Sequence, residues 1–197
     1  MKLTLADISD LRAYERERDE LRARVIAAKK LRRVAVGPVV SVVFENRDTV
    51  RFQVQEMVRA ERLLSDQAVQ QELDTYNPLV PEPGELSTTL FLELTSSDQL
   101  RTWLPRLVGV ERAVQLVIGD GGSARVVRGE VEEGHAAQLT REEVTAAVHY
   151  VRFRVPPAAV AAWPGEPVAL AVDHPRYAFR TELSAATKAS LLSDLRP

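Results

Sequence analysis

The sequence predicts an α+β domain: a mainly antiparallel, mixed sheet with flanking helices and an N-terminal helical arm. Three observations carry this. The chain opens on a charged segment with a narrow apolar stripe. Apolar runs rich in β-branched residues begin at Val34. Short helical stretches, each preceded by Ser, Asp or Asn, separate those runs. A chain of 197 residues with 45% hydrophobic and 27% charged side chains suits one sizeable domain. Residues 1–33 are assigned to the arm and residues 34–197 to the domain.

In the arm, Ser9 or Asp10 can cap a helix whose stripe is Leu11, Tyr14, Leu21 and Val25, extended backwards by Ile8. Lys29, Lys30, Arg32 and Arg33 close it, where cations meet the negative end of the helix dipole. VAVGPVVSVVF is apolar on both faces and reads as one buried strand kinked at Gly37-Pro38. The next stretch, FENRDTVRFQVQEMVRAER, has alternation that stops at Gln55 but helical spacing that persists through Met57, Val58 and Leu64. It is therefore assigned to a helix over 49–63, capped by Asn46 or Asp48.

A second capped helix over 66–76 precedes the turn NPLVPEPGE. LSTTLFLEL, over 86–94, turns Leu86, Thr88, Leu90, Leu92 and Leu94 inward. Ser97 or Asp98 starts a short helix that ends near Pro105. RAVQLVIGDGGSARVVRG is a hairpin whose glycines supply its turn, and residues 129–140 form a polar loop. In HYVRFRV, His149, Val151, Phe153 and Val155 share a face; in VALAVDH, Val168, Leu170, Val172 and His174 do. A short helical crossover joins these strands. A strand over 177–183 and a helix capped by Ser184, with Thr187 and Lys188 in its exposed middle, finish the chain.

Several function classes are excluded. The absence of cysteine removes disulfides, thiolate metal sites, iron–sulfur ligation and cysteine catalysis within this chain. A net charge of −2 gives no reason to expect nucleic acid or an anionic membrane as partner. No apolar run approaches the ~20 residues that span a bilayer, and the first residues lack a signal-peptide core, so the expectation is a soluble cytoplasmic protein. There is no G-x-S-x-G elbow, and the glycine cluster at 119–122 joins strand to strand without the Lys-Ser/Thr of a phosphate loop. Charge is uneven: residues 1–33 hold ten Lys/Arg against six Asp/Glu, and residues 61–100 hold one Arg against eight Asp/Glu. That imbalance points to a homo-oligomer in which the first helix packs on another subunit or across the sheet.

FENRDTVRFQVQEMVRAER, DTYNPLVPEPGELSTTLFLEL, VHYVRF and AVDHPRY together resemble an uncharacterised bacterial family, domain of unknown function family 3501, over nearly the entire chain. The resemblance implies a redox or peroxide-related setting with rubrerythrin-like or iron–sulfur redox proteins as partners. It carries over no catalytic residue.

Two groups of residues are candidates for chemistry. Glu45, Asn46, Gln53 and Glu56 cluster around a strand-to-helix junction, where open sheets expose ligand sites. A carboxylate there becomes a general base if burial raises its pKa; otherwise the cluster is a capping and ion-pair network with Arg47, Arg51 or Arg59. His149 and His174, meeting across paired strands with Asp173, Glu56 or Glu45, would form a two-histidine, one-carboxylate set for iron, zinc or manganese. His135 is assigned to the exposed polar loop. The leading reading is a non-catalytic accessory or binding protein of a redox system. The alternative is a small non-haem metal-dependent oxidoreductase or hydrolase, and a structural dimerisation module is the third class.

Overall fold

The computed structural model describes residues 1–131 and 144–196. Its strands form two sheets. The first takes the order β1 (Arg33–Val36), β2 (Val40–Glu45), β3 (Glu85–Leu92), β7 (Val148–Arg154) and β6 (Glu130–Val131). The second takes the order β5 (Arg125–Arg128), β4 (Val114–Ile118), β8 (Val168–His174) and β9 (Tyr177–Glu182). All pairings among the described residues are antiparallel, so the α+β class and antiparallel character hold while the mixed sheet is replaced by two separate ones.

The inner rows of both sheets meet in one core. Phe44, Leu86, Leu90, Val151 and Phe153 come from the first sheet, and Leu116, Ile118, Leu170 and Val172 from the second. Trp163 enters from α5 (Pro157–Ala162) and its C-cap, while Leu191 and Leu195 enter from α6 (Ala185–Leu195). Thr187 is not in an exposed middle: it is buried and donates to the Leu31 carbonyl at 2.9 Å. Lys188 is likewise held, its ammonium donating to the Glu166 carbonyl at 2.5 Å.

The expected kinked strand is a hairpin. Gly37 has φ +75°, and a Cβ there would lie 2.6 Å from the Tyr177 hydroxyl and from the Phe179 ring. Glycine is therefore required twice over, by conformation and by space. The Tyr177 hydroxyl accepts from the Val39 and Val40 amides, each at 3.1 Å, and donates to the Val36 carbonyl at 2.7 Å. One side chain of the second sheet thus satisfies the turn of the first. Thr181 adds a 2.7 Å bond to the Ala35 carbonyl along the same seam. At the opposite seam the chain itself changes sheets. β5 pairs with β4, β6 pairs with β7, and Gly129 lies between, where a Cβ would stand 2.4 Å from Val151 Cγ1.

The outer face of the first sheet is covered by helices. α1 (Leu11–Arg32) is capped by Asp10, which accepts from the Arg12 and Ala13 amides. α2 (Arg47–Ala60) begins at a reciprocal cap between Asn46 and Thr49. α3 (Asp66–Tyr76) is capped by Ser65. α4 (Ser97–Trp103), capped by Ser96, lies elsewhere and packs Trp103 against the main core. Val50, Val54 and Val58 fall one turn apart on α2 and bury with Leu73, Leu79 and Leu3 in a second, smaller core. The first helix packs on α2, β2 and α6 of its own chain. Arg32, 3% exposed, fixes its end: Nε donates to the Phe44 carbonyl at 2.9 Å, Nη1 to Ser190 Oγ at 3.0 Å, and Nη2 pairs with Asp194. No helix among the described residues is long and apolar enough to cross a membrane.

Candidate functional site

β2 delivers Glu45 to the rim of the first sheet, and the next residue, Asn46, turns the chain into α2. Along the sheet, Val43 pairs with Thr89 and Thr89 with Tyr150, so Thr89 and Tyr150 share the outer face with Glu45. Val50 and Gln53 of α2 lie above this face, Tyr76 and Leu79 close one side, and Lys29 reaches in from the last turn of α1. Phe91 and Val148 complete an apolar wall. Together they line a cavity of about 170 Å³.

Glu45 dominates its electrostatics. The residue is 5% exposed. Oε1 accepts from the Thr89 hydroxyl at 2.9 Å. Oε2 is buried with no hydrogen bond, although the Lys29 ammonium is 3.5 Å away. That separation compensates the charge without satisfying the lone pairs, an unusual state for a buried carboxylate. Tyr150 feels the same environment: burial pushes its phenol pKa up, and the nearby Tyr76 and Glu45 push it further in that direction.

Of the four residues expected in the polar cluster, the cavity gathers two, Glu45 and Gln53. Asn46 is used as a cap, its side chain accepting from the Thr49 amide at 3.0 Å. Glu56 is turned to α1, where the Tyr14 hydroxyl donates at 2.6 Å and Arg18 grips both oxygens at 2.8 Å. Its pKa is lowered, first by the Arg18 hydrogen bond, against an upward push from burial. Glu56 is an ion-pair partner. The expected arginines bind elsewhere: Arg47 to Asp7, Arg51 to the Asp7 carbonyl and Arg59 to Glu15. Sequence reasoning missed Lys29, Thr89, Tyr76 and Tyr150. The outward half of the two-residue period in β3 and β7 was the available signal for Thr89 and Tyr150.

The histidines do not meet across paired strands. His149 is in β7 of the first sheet and His174 is in β8 of the second, and neither strand pairs with the other. His149 is 1% exposed, with Nε2 at 2.9 Å from both the Thr145 hydroxyl and the Ala146 carbonyl. A carbonyl only accepts, so Nε2 carries the proton and Nδ1 is left buried without a hydrogen bond. Burial lowers the imidazole pKa, with Glu111 acting in the opposite sense. His174 spends both nitrogens on backbone: Nε2 donates to the Val108 carbonyl at 3.1 Å, and Nδ1 accepts from the Arg176 amide at 3.2 Å. Asp173, adjacent to His174 and therefore on the other face of β8, is exposed and accepts from Gln115 at 3.2 Å. Among the described residues no group of three or more His, Asp or Glu is placed to hold a metal ion. His135 lies outside the described residues, as does most of the expected polar loop.

Fold and site together define an α+β protein with two facing antiparallel sheets and a small cavity under a helical layer. The chain belongs to the family described as protein of unknown function (DUF3501), whose model matches residues 2–195. It is similar to a solved structure from Burkholderia pseudomallei K96243, described as a novel protein of unknown function. That likeness has 36% identity and a TM-score of 0.88, and it covers 99% of this chain and 100% of the other. No curated protein matches.

Proposed function

We propose that this protein is a non-catalytic binding protein that holds a small organic molecule in the cavity between α2 and the first sheet. The observation behind this is the second oxygen of Glu45, buried in the cavity wall and lacking a donor. A buried acceptor left unmade costs about 1–3 kcal/mol, more when charged, and a ligand donor would recover part of that. An apolar wall with a few convergent polar groups is also the usual composition of a small-molecule site. The two threonine hydroxyls that line it are engaged: Thr49 in the α2 cap and Thr89 on Glu45. The arrangement therefore favours holding a molecule over attacking one. In the redox or peroxide-related setting that the family resemblance implies, such a protein would be an accessory to rubrerythrin-like or iron–sulfur partners.

The test is a protein-observed NMR screen with a set of small polar fragments. Binding should shift the amides around Glu45, Gln53, Thr89 and Tyr150. A screen in which no fragment shifts these signals overturns the proposal, as does one in which every shift maps around Asp173 and His174.

A further inference from the structure

The proposed cavity holds one acid and one base, and their arrangement restricts what can enter. Glu45 Oε2 and Lys29 Nζ are 3.5 Å apart and not hydrogen-bonded to each other. A cation seated on Glu45 would also stand near the Lys29 ammonium, and an anion seated on Lys29 would stand near a carboxylate that is 5% exposed. Either alone suffers like-charge repulsion at close range in a poorly solvated site. A molecule with both signs does not. Its ammonium can donate to Oε2 while its carboxylate accepts from Lys29, so each of the four charges faces two of opposite sign. The charges of the pair stay balanced, and the unmade bonds of Oε2 are formed.

Size and lining narrow the class further. The cavity of about 170 Å³ is small beside typical ligand sites, which suits a ligand of few non-hydrogen atoms. Val50, Leu79, Phe91 and Val148 supply an apolar lining in the same cavity as the charged pair. We infer that the ligand is a small zwitterion with an apolar substituent, a free aliphatic amino acid, bound with its ammonium on Glu45 and its carboxylate on Lys29. This rests on the proposed binding role of the same cavity and adds the ligand's charge pattern.

The experiment is isothermal titration calorimetry of the full chain with four probes. These are L-valine, its methyl ester (cation only), its N-acetyl derivative (anion only) and isovaleramide (neutral). L-valine should bind, and the other three should bind at least tenfold more weakly. Glu45→Gln and Lys29→Met should each weaken L-valine binding at least tenfold, since each removes one charge-assisted hydrogen bond. Glu56→Gln, which alters a carboxylate turned to α1, should leave it unchanged. Lys29 is partly exposed, so its variant keeps the test open if Glu45→Gln fails to fold. Any single-charge or neutral probe that matches L-valine overturns the zwitterion and leaves the binding role intact. Absence of L-valine binding also overturns it, and the fragment screen then decides separately whether the cavity binds anything.

Discussion

Arg18 holds Glu56 through two parallel hydrogen bonds, Nε to Oε1 and Nη2 to Oε2, both 2.8 Å long. The pair fastens α1 to α2, and the Tyr14 hydroxyl adds a third contact to the same carboxylate at 2.6 Å. Because Tyr14 is 1% exposed, Tyr14→Phe removes a buried donor from a charged acceptor. It should lower stability by about 1.5–3 kcal/mol, measured by urea unfolding, with no change in binding at the Glu45 cavity.

Acid should destabilise the protein through two groups. Glu56 has a pKa below the usual carboxylate value because of Arg18, so its contribution is complete above the unfolded pKa of about 4.3 and lost as pH falls through the folded value. His149 has a pKa lowered by burial, so the unfolded chain takes up its proton first. Stability therefore falls as pH drops below about 6.5, down to the folded pKa. His149→Gln should flatten the stability curve between pH 5 and 7, and Glu56→Gln should flatten it below pH 5. An unchanged slope in either window would remove that group from the account.

Tyr177→Phe tests the seam between the sheets. The hydroxyl serves two amide donors and one carbonyl, all buried. Its loss strands the Val39 and Val40 N–H groups, at about 1–3 kcal/mol for each group left without a partner. Thermal unfolding should show a lowered Tm, whereas Phe179→Tyr, on a 43% exposed side chain, should leave the Tm nearly unaltered.

Arg32→Met should be the most damaging of these substitutions. It leaves Asp194 and the Phe44 carbonyl without their partner in a site where the arginine is 3% exposed. Removing one member of a buried ion pair costs about 3–5 kcal/mol. Denaturant unfolding gives the value, and a loss under about 1 kcal/mol would count against this role.

Local signals placed α3 and α6 well, because Ser65 and Ser184 cap them where a serine precedes a helical run. β2 was harder. All six of its residues are buried, since the core covers one face and α1 packs on the other. That erased the two-residue period and let the Gly37 turn pass for a kink. In the site, Glu45 and Gln53 were legible from their place beside the strand-to-helix junction. Thr89 and Tyr150 join them only through the β2–β3–β7 register, which spans over a hundred residues. Lys29 looked like a helix-end cation, and its reach into a cavity depends on how α1 lies on the sheet. His149 and His174 share one local pattern, an imidazole in an apolar row, and nothing in that pattern assigns them to different sheets.

The change of sheet at Gly129 has a consequence for how the chain must assemble. Strands of the first sheet occur in sequence as β1, β2, β3, then β6 and β7; those of the second are β4 and β5, then β8 and β9. The β3–β7 ladder joins Leu90 to His149 across all of β4 and β5, and β4 waits for β8 in the same way. Such interleaved, long-range ladders belong to the slow end of single-domain folding, on the order of milliseconds to seconds. No single cut in the chain leaves each sheet whole on its own side, so the two halves of the core have to be gained, and lost, together.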